Sequence, residues 1–581
     1  MPASAIREPV SPDRMIERPS KMKTKSNLAK RNKAGPFVAG VIVLSALGAF
    51  VSLSATTRRK TNPPARPANA RSAAPDQFIE VSKQAGIRFA LTSGGPQKAY
   101  IIEAKGGGGI AWIDYNNDGY PDLFLVNGST FEDWRAGKSP RSRLYRNNRD
   151  GTFTDVSAGS GLDHTGWGMG ACVGDYDNDG ELDLYVANYV DVDIEKLGEP
   201  GSAANCTYRG FATFCGPRGL PGGRDILFHN NGDGTFADVT EKAGIDEGRY
   251  SGLGVVMADF DRDGRLDIYV ANDSTPSSLY HNNGDGTFTD VAPQTGVAYS
   301  AEGQEQAGMG TDATDYDNDD WPDLIKGNFS DDYNNLYHNN RDGGFEDLAY
   351  VAQFAAVSRL FTTFGTKFLD YDNDGWKDIF VVNGMVFPQI DRYHTGITYR
   401  ERNLLFHNQR DGKFEEVGLR SGPALATRKV SRGLAVADYD NDGDVEMMVS
   451  NMNDSPELIR HTRRNPNHAI LVKTVGVVSN RDGIGAEVKV TAGGITQWDE
   501  VRSGGSYLSS SDLRLHFGLG SATTIERMEV HWPSGKTDSI TNAPADRILT
   551  VKEGQGLIDS SPLARAAKSP PSPAKKDRPK Q

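Results

Sequence analysis

From about residue 77 the chain is written in short apolar runs broken by clusters of Gly, Asn and Asp. "LFLVNG", "LYVANY", "IYVAND", "LIKGNF" and "IFVVNG" are β-rich and too short for helices, so each predicts a strand. A second set begins with Phe, as in "FIEVSKQAGI" at Phe78, "FTDVSAGSGL" at Phe153, "FADVTEKAGI" at Phe236 and "FTDVAPQTGV" at Phe288, with looser versions at Phe345 and Phe414. A third, such as "LYRNNRDGTF" and "LYHNNGDGTF", places an Asn/Gly turn between two apolar flanks and predicts a hairpin. The repeating unit is therefore a strand, a Gly-rich strand, an acidic loop, a strand and a hairpin strand, returning every 50 to 85 residues. Four strands per unit is the size of a propeller blade. Six units are countable, the insertions at 190–225 and 384–403 leave room for a seventh, and the Phe78 strand is placed to close the ring beside "ELIRHT".

The acidic loops carry the chemistry. They read "DYNNDGYPDL", "DYDNDGELDL", "DFDRDGRLDI", "DYDNDDWPDL", "DYDNDGWKDI" and "DYDNDGDVEM". Positions one, three, five and nine are Asp114, Asn116, Asp118 and Asp122, then Asp175, Asp177, Asp179 and Asp183, then Asp259, Asp261, Asp263 and Asp267. The later loops offer Asp315, Asp317, Asp319 and Asp323, then Asp370, Asp372, Asp374 and Asp378, then Asp438, Asp440, Asp442 and Glu446. Carboxylates this close repel unless a cation sits among them. The spacing follows the first half of an EF-hand loop, with Gly at position six for the sharp turn, except at Asp320. No flanking helices and no Glu at position twelve are present, so the ninth residue closes the site. One such loop is common as a solvated turn; six predict about six Ca²⁺ ions with a structural rather than a sensing role. Asp320 is expected to point to solvent and to strain its turn. His229, His281, His338 and His407 recur in the hairpins just before the turn and are read as turn residues rather than ligands.

Residues 35–57 form the one long uncharged segment, "GPFVAGVIVLSALGAFVSLSATT". As a helix it would extend about 34 Å, enough for a hydrocarbon core of about 30 Å. Residues 1–34 hold nine Lys and Arg against three Asp and Glu, so this basic tail is expected in the cytoplasm and the rest outside. A signal peptide cleaved after Ser54, releasing a secreted protein, is the alternative. The total charge is −13, and −19 falls on residues 58–581, which argues against a nucleic-acid partner. Cys206 and Cys215 are expected to form a disulfide in an exported protein, and Cys172 to be a small core residue.

The "F-x-D-V", "G-x-G", "D-x-D-x-D-G-x-x-D" and "L-Y-x-N" series resembles the FG-GAP or VCBS-type repeats of integrin-like β-propellers. Residues 77–465 as a whole resemble the propeller of the cartilage acidic protein family. "NHAILVKTVGVVSNRDGIGAEVKV", "GGSYLSSSDLRLHFGLG" and "MEVHWPSGKTDSI" resemble an ASPIC/UnbV domain through Gly483, Gly485, Ala486, Phe517, Gly518, Gly520, Trp532, Pro533 and Gly535. Bottom-up, residues 466–556 read as short strands ending in Gly turns, a small β-sandwich in which Trp532 is a packed corner.

The expected organisation is all-β: a basic tail (1–34), an anchor (35–57), a linker (58–76), a six- or seven-bladed propeller (77–465), a sandwich (466–556) and a disordered tail (557–581). The expected function is a calcium-stabilised, membrane-anchored binding or adhesion protein outside the cytoplasm, with an extracellular protein or glycan as partner. The alternative is an exported enzyme acting on a saccharide or other small substrate through Asp391, Arg392, His394 and Arg400, among which no nucleophile, base and orienter set is recognisable.

Overall fold

A computed structural model describes residues 77–564 apart from 95–99, 117, 159, 161–169, 192, 194–205, 234–235, 246–247 and 463–464. The basic tail, the 35–57 segment and the linker lie outside the described residues. Among the described residues no helix is long and apolar enough to cross a membrane.

Among the described residues, six four-stranded antiparallel sheets follow one another, giving a propeller-like, all-β architecture. The third is representative: Gly252–Ala258, Asp267–Asn272, Ser278–Asn282 and Phe288–Asp290. In all six, the acidic loop joins the first strand to the second, and the ninth loop residue is the first residue of that second strand. All six loops therefore lie at one end of the sheets, and the connections from second to third strand lie at the other. The sixth sheet is completed from the start of the chain, Gln77–Glu80 pairing antiparallel with Glu457–Thr462, as the sequence predicts. Among the described residues the two insertions hold only two-residue strands, Thr207–Tyr208 with Phe211–Ala212 in the first and Glu401–Arg402 in the second, the latter paired with Arg428–Lys429 further along the chain, so neither supplies a further four-stranded sheet.

Neighbouring sheets are joined by a repeated aromatic pair. The residue at loop position two of one sheet packs on the Phe of the next sheet's outer strand: Tyr176 on Phe288, Phe260 on Phe345, Tyr316 on Phe414, Tyr371 on Phe78 and Tyr439 on Phe153, with ring centroids 5.7 to 6.0 Å apart. At the remaining seam, Tyr115 and Phe236 are 42% and 51% exposed. The Asn of the L-Y-x-N run ties the same seams, since the Asn282, Asn339, Asn408 and Asn147 amides donate to the carbonyls of Tyr176, Phe260, Tyr316 and Tyr439.

The C-terminal region is a sandwich of two four-stranded sheets. Val488, Val490, Trp532, Ile470, Phe517 and Leu549 fill its core, and Leu266, from the third acidic loop, is lodged in the same cluster. The expectation of disorder from residue 557 is corrected here. Gly556–Pro562 is an edge strand antiparallel to Arg547–Lys552, held by its backbone ladder and by the burial of Leu563 rather than by an apolar face. A ladder of this kind leaves no compositional trace, and residues 565–581 lie outside the described residues.

Candidate metal centres

Each loop folds around its first carboxylate. Both oxygens of Asp114, Asp175, Asp259, Asp315, Asp370 and Asp438 accept backbone hydrogen bonds, from the amides of positions five and six, at 2.7 to 3.0 Å. The fifth residue then accepts from the amide of position seven at 2.8 to 3.0 Å. That turn needs a left-handed residue at position six, where φ lies between 73° and 95°, and five of the six residues are Gly. Asp320 has φ 73°, the strain its sequence implies. Its side chain does not face free solvent, however: its carboxylate accepts from Lys489 Nζ of the sandwich at 2.6 Å. That correction has a plain cause, because nothing local to the loop reveals that a second domain covers it.

The loops are also laced to one another. The position-four side chain of one loop donates to the position-six carbonyl of the next, Asn178 to Gly264, Arg262 to Asp320, Asn318 to Gly375, Asn373 to Gly443 and Asn441 to Gly119, at 2.7 to 3.3 Å. The last of these joins the sixth sheet to the first.

Burial dominates the electrostatics. It raises Asp122, Asp175 and Asp378 to about 6, Asp183, Asp259, Asp323 and Asp440 to about 7, and Asp315 to about 8. Asp370, Asp438 and Glu446 are pushed well above the carboxylate range, again mainly by burial, and then by their acidic neighbours. Asp122 Oδ2, Asp317 Oδ1, Asp440 Oδ1 and both oxygens of Glu446 are shielded from water without a hydrogen-bond partner. Buried carboxylate oxygens without donors are costly and fit a cation. Groups able to hold a metal, with ligand atoms within 4.8 Å of one another, include Asp175, Asp177 and Asp183. Four further groups include a histidine that sequence reasoning set aside. The overlooked signal was its fixed place, three residues into each hairpin strand beside the loop.

The sandwich covers this end. His516 Nε2 lies 3.2 Å from the Gly443 carbonyl, and Arg514 donates to Asp438 O at 2.7 Å and to Asn441 Oδ1 at 2.6 Å. Arg262 pairs with Glu487, and Asn467 donates to the Asp372 carbonyl at 2.8 Å. Between the two sandwich strands Ile495–Glu500 and Leu515–Gly520, the connecting segment runs into the space enclosed by the six first strands. There Gly505 N donates to Val255 O at 2.8 Å, Ser510 N to Ile110 O at 2.8 Å and Asp512 N to Val436 O at 3.0 Å. Ser506 and Thr311 bond through their backbones, Val173 N donates to Ser503 Oγ at 2.8 Å, and Tyr507 packs on Phe364 with centroids 4.9 Å apart. All six sheets thus touch this plug.

Close approach of the neighbouring sheet, with the plug behind it, explains a glycine placed five residues before every loop: Gly109, Gly170, Gly254, Gly310, Gly365 and Gly433. A Cβ at Gly310 would lie 2.3 Å from Phe364 O and at Gly109 2.3 Å from Leu508 O, so close backbone approach admits only hydrogen there. Beside the plug a cavity of about 80 Å³ is lined by paired charges, Lys367 with Asp312 at 2.7 Å, and Lys377 and Arg502 with Asp499 at 2.9 and 2.8 Å, together with the loop carboxylates Asp370 and Asp438 and with Glu500, whose Oε1 has no hydrogen-bond partner.

At the opposite end the two insertions meet. Cys206 and Cys215 are disulfide-bonded, and Cys172 is buried, which raises its thiol. Phe211 stacks on Tyr393 at 4.4 Å, and Tyr208 and Phe214 pack on Phe387 at 5.3 and 5.0 Å. Asp391, Arg392, His394 and Arg400 are exposed, with Asp391 accepting from Tyr399 N and Arg400 paired with Asp454.

Comparison with known proteins agrees with this architecture. The model for FG-GAP-like repeats matches residues 114–186, 219–270, 259–326 and 315–381, and that for ASPIC and UnbV matches 476–558. Cartilage acidic protein 1 of Mus musculus is 25% identical over 470 residues, covering 78% of this chain and 66% of the relative. The Homo sapiens protein of that name is 26% identical over 474 residues, covering 78% and 65%. The chain thus spans just under two thirds of the length of these curated relatives. Among solved structures, an Agrocybe aegerita lectin for non-reducing terminal N-acetylglucosamine aligns at 16% identity and TM-score 0.30, covering 60% of this chain and 78% of that one. Trypanosoma rangeli sialidase aligns at 12% identity and TM-score 0.33, covering 67% and 57%. Neither likeness is close enough to carry an argument. The chain joins FG-GAP-like repeats to an ASPIC and UnbV domain and is similar over most of its length to cartilage acidic protein 1.

Proposed function

We propose that this chain is an extracellular binding protein built on a closed six-bladed propeller whose loops hold calcium, tethered through residues 35–57. The carrying observation is the set of buried, donor-less carboxylate oxygens inside loops that already have EF-hand spacing. Positions one, three, five and nine would supply the ligands, and the bound ion would neutralise charge that burial otherwise forces to hold protons. A structural role fits best, because the loops are laced in series and capped by the sandwich, with no element placed to open. The binding face is assigned to the insertion end, since the sandwich covers the other. Its aromatic surface around Tyr393, 50% exposed, suits an extracellular protein or glycan rather than a nucleic acid. A non-catalytic role is favoured by the plug, which fills the space where a propeller substrate would sit.

The decisive experiment is calcium titration of residues 58–581 with unfolding followed in parallel. Each site held at a hundredfold excess over its dissociation constant adds about 2.7 kcal/mol, so chelation should lower the midpoint by well over 10 °C. A melt that ignores both chelator and calcium would sink the reading.

A further inference from the structure

Four loops differ from the other two in what stands over them. In sheets two to five the hairpin strand carries His229, His281, His338 or His407, whereas the matching residues of sheets one and six are Arg146 and Arg460. Each imidazole faces the carboxylates of loop positions three and nine. His229 Nδ1 lies 3.3 Å from Asp177 and 3.2 Å from Asp183, and His281 Nδ1 lies 3.3 Å from both Asp261 and Asp267. The distances at His338 are 3.5 Å to Asp317 and 3.1 Å to Asp323, and at His407 they are 3.8 Å to Asp372 and 3.2 Å to Asp378. In sheet six the equivalent Arg460 is a fixed cation bonded to Asp440.

Adjacent ligands of an octahedral ion with bonds of about 2.1 Å stand about 3 Å apart, the edge length these N–O separations approach. His338 and His407 meet Asp323 and Asp378 through Nδ1 hydrogen bonds, the contact that an ion seated between them would replace, and Asp317 Oδ1 is shielded from water with no hydrogen-bond partner, which points to an absent ligand. The rings are also held in place, since Tyr176, Tyr316 and Tyr371 meet His229, His338 and His407 edge-on at 6.2, 6.4 and 5.9 Å.

We propose that the loops beginning at Asp175, Asp259, Asp315 and Asp370 are mixed oxygen and nitrogen sites that accept a divalent d-block cation through the histidine, while those beginning at Asp114 and Asp438 are all-oxygen sites. This rests on the reading that the loops hold a divalent cation at all. Imidazole is a poor calcium ligand and a good one for first-row transition ions, whereas carboxylates serve both, so the histidine should shift preference without abolishing calcium binding.

The test uses Mn²⁺ and Ca²⁺ as separate probes on residues 58–581, with His281→Asn and His338→Asn and the double variant. Expected are a roughly tenfold weaker Mn²⁺ affinity at each altered loop, Ca²⁺ affinity within about twofold of wild type, and ¹⁴N modulation in pulsed electron paramagnetic resonance of bound Mn²⁺ that falls with each substitution. Unchanged Mn²⁺ affinity and ¹⁴N signal alongside normal Ca²⁺ binding would overturn this inference alone, leaving the histidines as hydrogen-bond donors to the ligands. Failure to bind either ion, in protein whose circular dichroism shows it folded, would overturn the loop reading and this inference together.

Discussion

The two ends of the six sheets are built on opposite plans. At the loop end one decapeptide pattern appears six times, five of the copies hydrogen-bonded to the next through their position-four side chains, and the sandwich closes over the set. At the insertion end nothing repeats: a disulfide-stapled hairpin and one long connection meet through Phe211, Phe387 and Tyr393. Repetition lets every loop be supported by an identical neighbour, so buried charge can be tolerated once a counter-ion is present. The other end, with no neighbour to copy, relies on aromatic packing and a covalent bond, burying Phe211 and Phe387 and leaving Tyr393, Asp391, Arg392 and His394 exposed.

A pair of glycines tests this contrast most severely. Gly310→Ala places a methyl group 2.3 Å from Phe364 O in strands that cannot part without disturbing the plug, and should cost about 3 kcal/mol or prevent folding. Gly216→Ala, directly after the disulfide that staples the hairpin, has nothing within 4 Å of its new Cβ and should change stability by less than about 0.5 kcal/mol. Equal effects in chemical denaturation would show that the loop end is not the tightly packed one.

Acidity separates the ends next. Metal-free, the folded protein holds protons on Asp175 and Asp378 up to about pH 6, on Asp259 and Asp440 to about 7 and on Asp315 to about 8, whereas the unfolded chain releases them near pH 4. The native state then binds more protons than the unfolded state across that window, so stability must fall as pH rises, by about 1.4 kcal/mol per pH unit for each excess proton. His338 and His407, raised to about 9 mainly by Asp323 and Asp378, contribute stability below pH 6.5 that is lost toward pH 9, the same direction. Denaturation between pH 5 and 8 should show this slope in metal-free protein and a flat or opposite one with saturating Ca²⁺. A metal-free slope near zero would mean the loops are better hydrated than their burial implies.

How legible each end was follows from distance along the chain. The loop ligands fall within nine residues and recur, so spacing alone displayed them, and the Phe78 strand carried the same signature as its five counterparts. The reason for the glycines five residues earlier was invisible, because the neighbouring sheets press on them from other repeats, and Ser506 and Leu508, which sit against five of them, lie 141 to 399 residues away in sequence. The same holds for the lacing through Asn178, Asn318, Asn373 and Asn441, whose side chains reach loops in other repeats. Period and composition report what a residue does for its own strand. They are silent on single contacts between distant segments, which is also why Gly556–Pro562 read as a tail.

Asp320 offers the smallest and sharpest comparison, since at this one position the repeat is broken and the sandwich has filled the gap. Replacing it by Gly relieves a left-handed backbone costing roughly 1 kcal/mol for Asp, and returns some of that through glycine's greater freedom when unfolded. The same change removes the pair with Lys489, whose two side chains are each 35% exposed and whose worth is therefore about 0–1 kcal/mol. The two effects nearly cancel at low salt, where Asp320→Gly should be neutral or slightly less stable than wild type. Salt screens the ion pair and leaves the backbone term alone. In 1 M NaCl, with calcium held saturating, the variant should become the more stable of the two by about 0.5 kcal/mol. Lys489→Met should follow the ion-pair half of this behaviour only, losing its small deficit in salt without ever passing wild type. If the Asp320→Gly difference does not respond to salt, the carboxylate contributes nothing through Lys489, and the sandwich is held at this loop by the Arg262 and Glu487 pair instead.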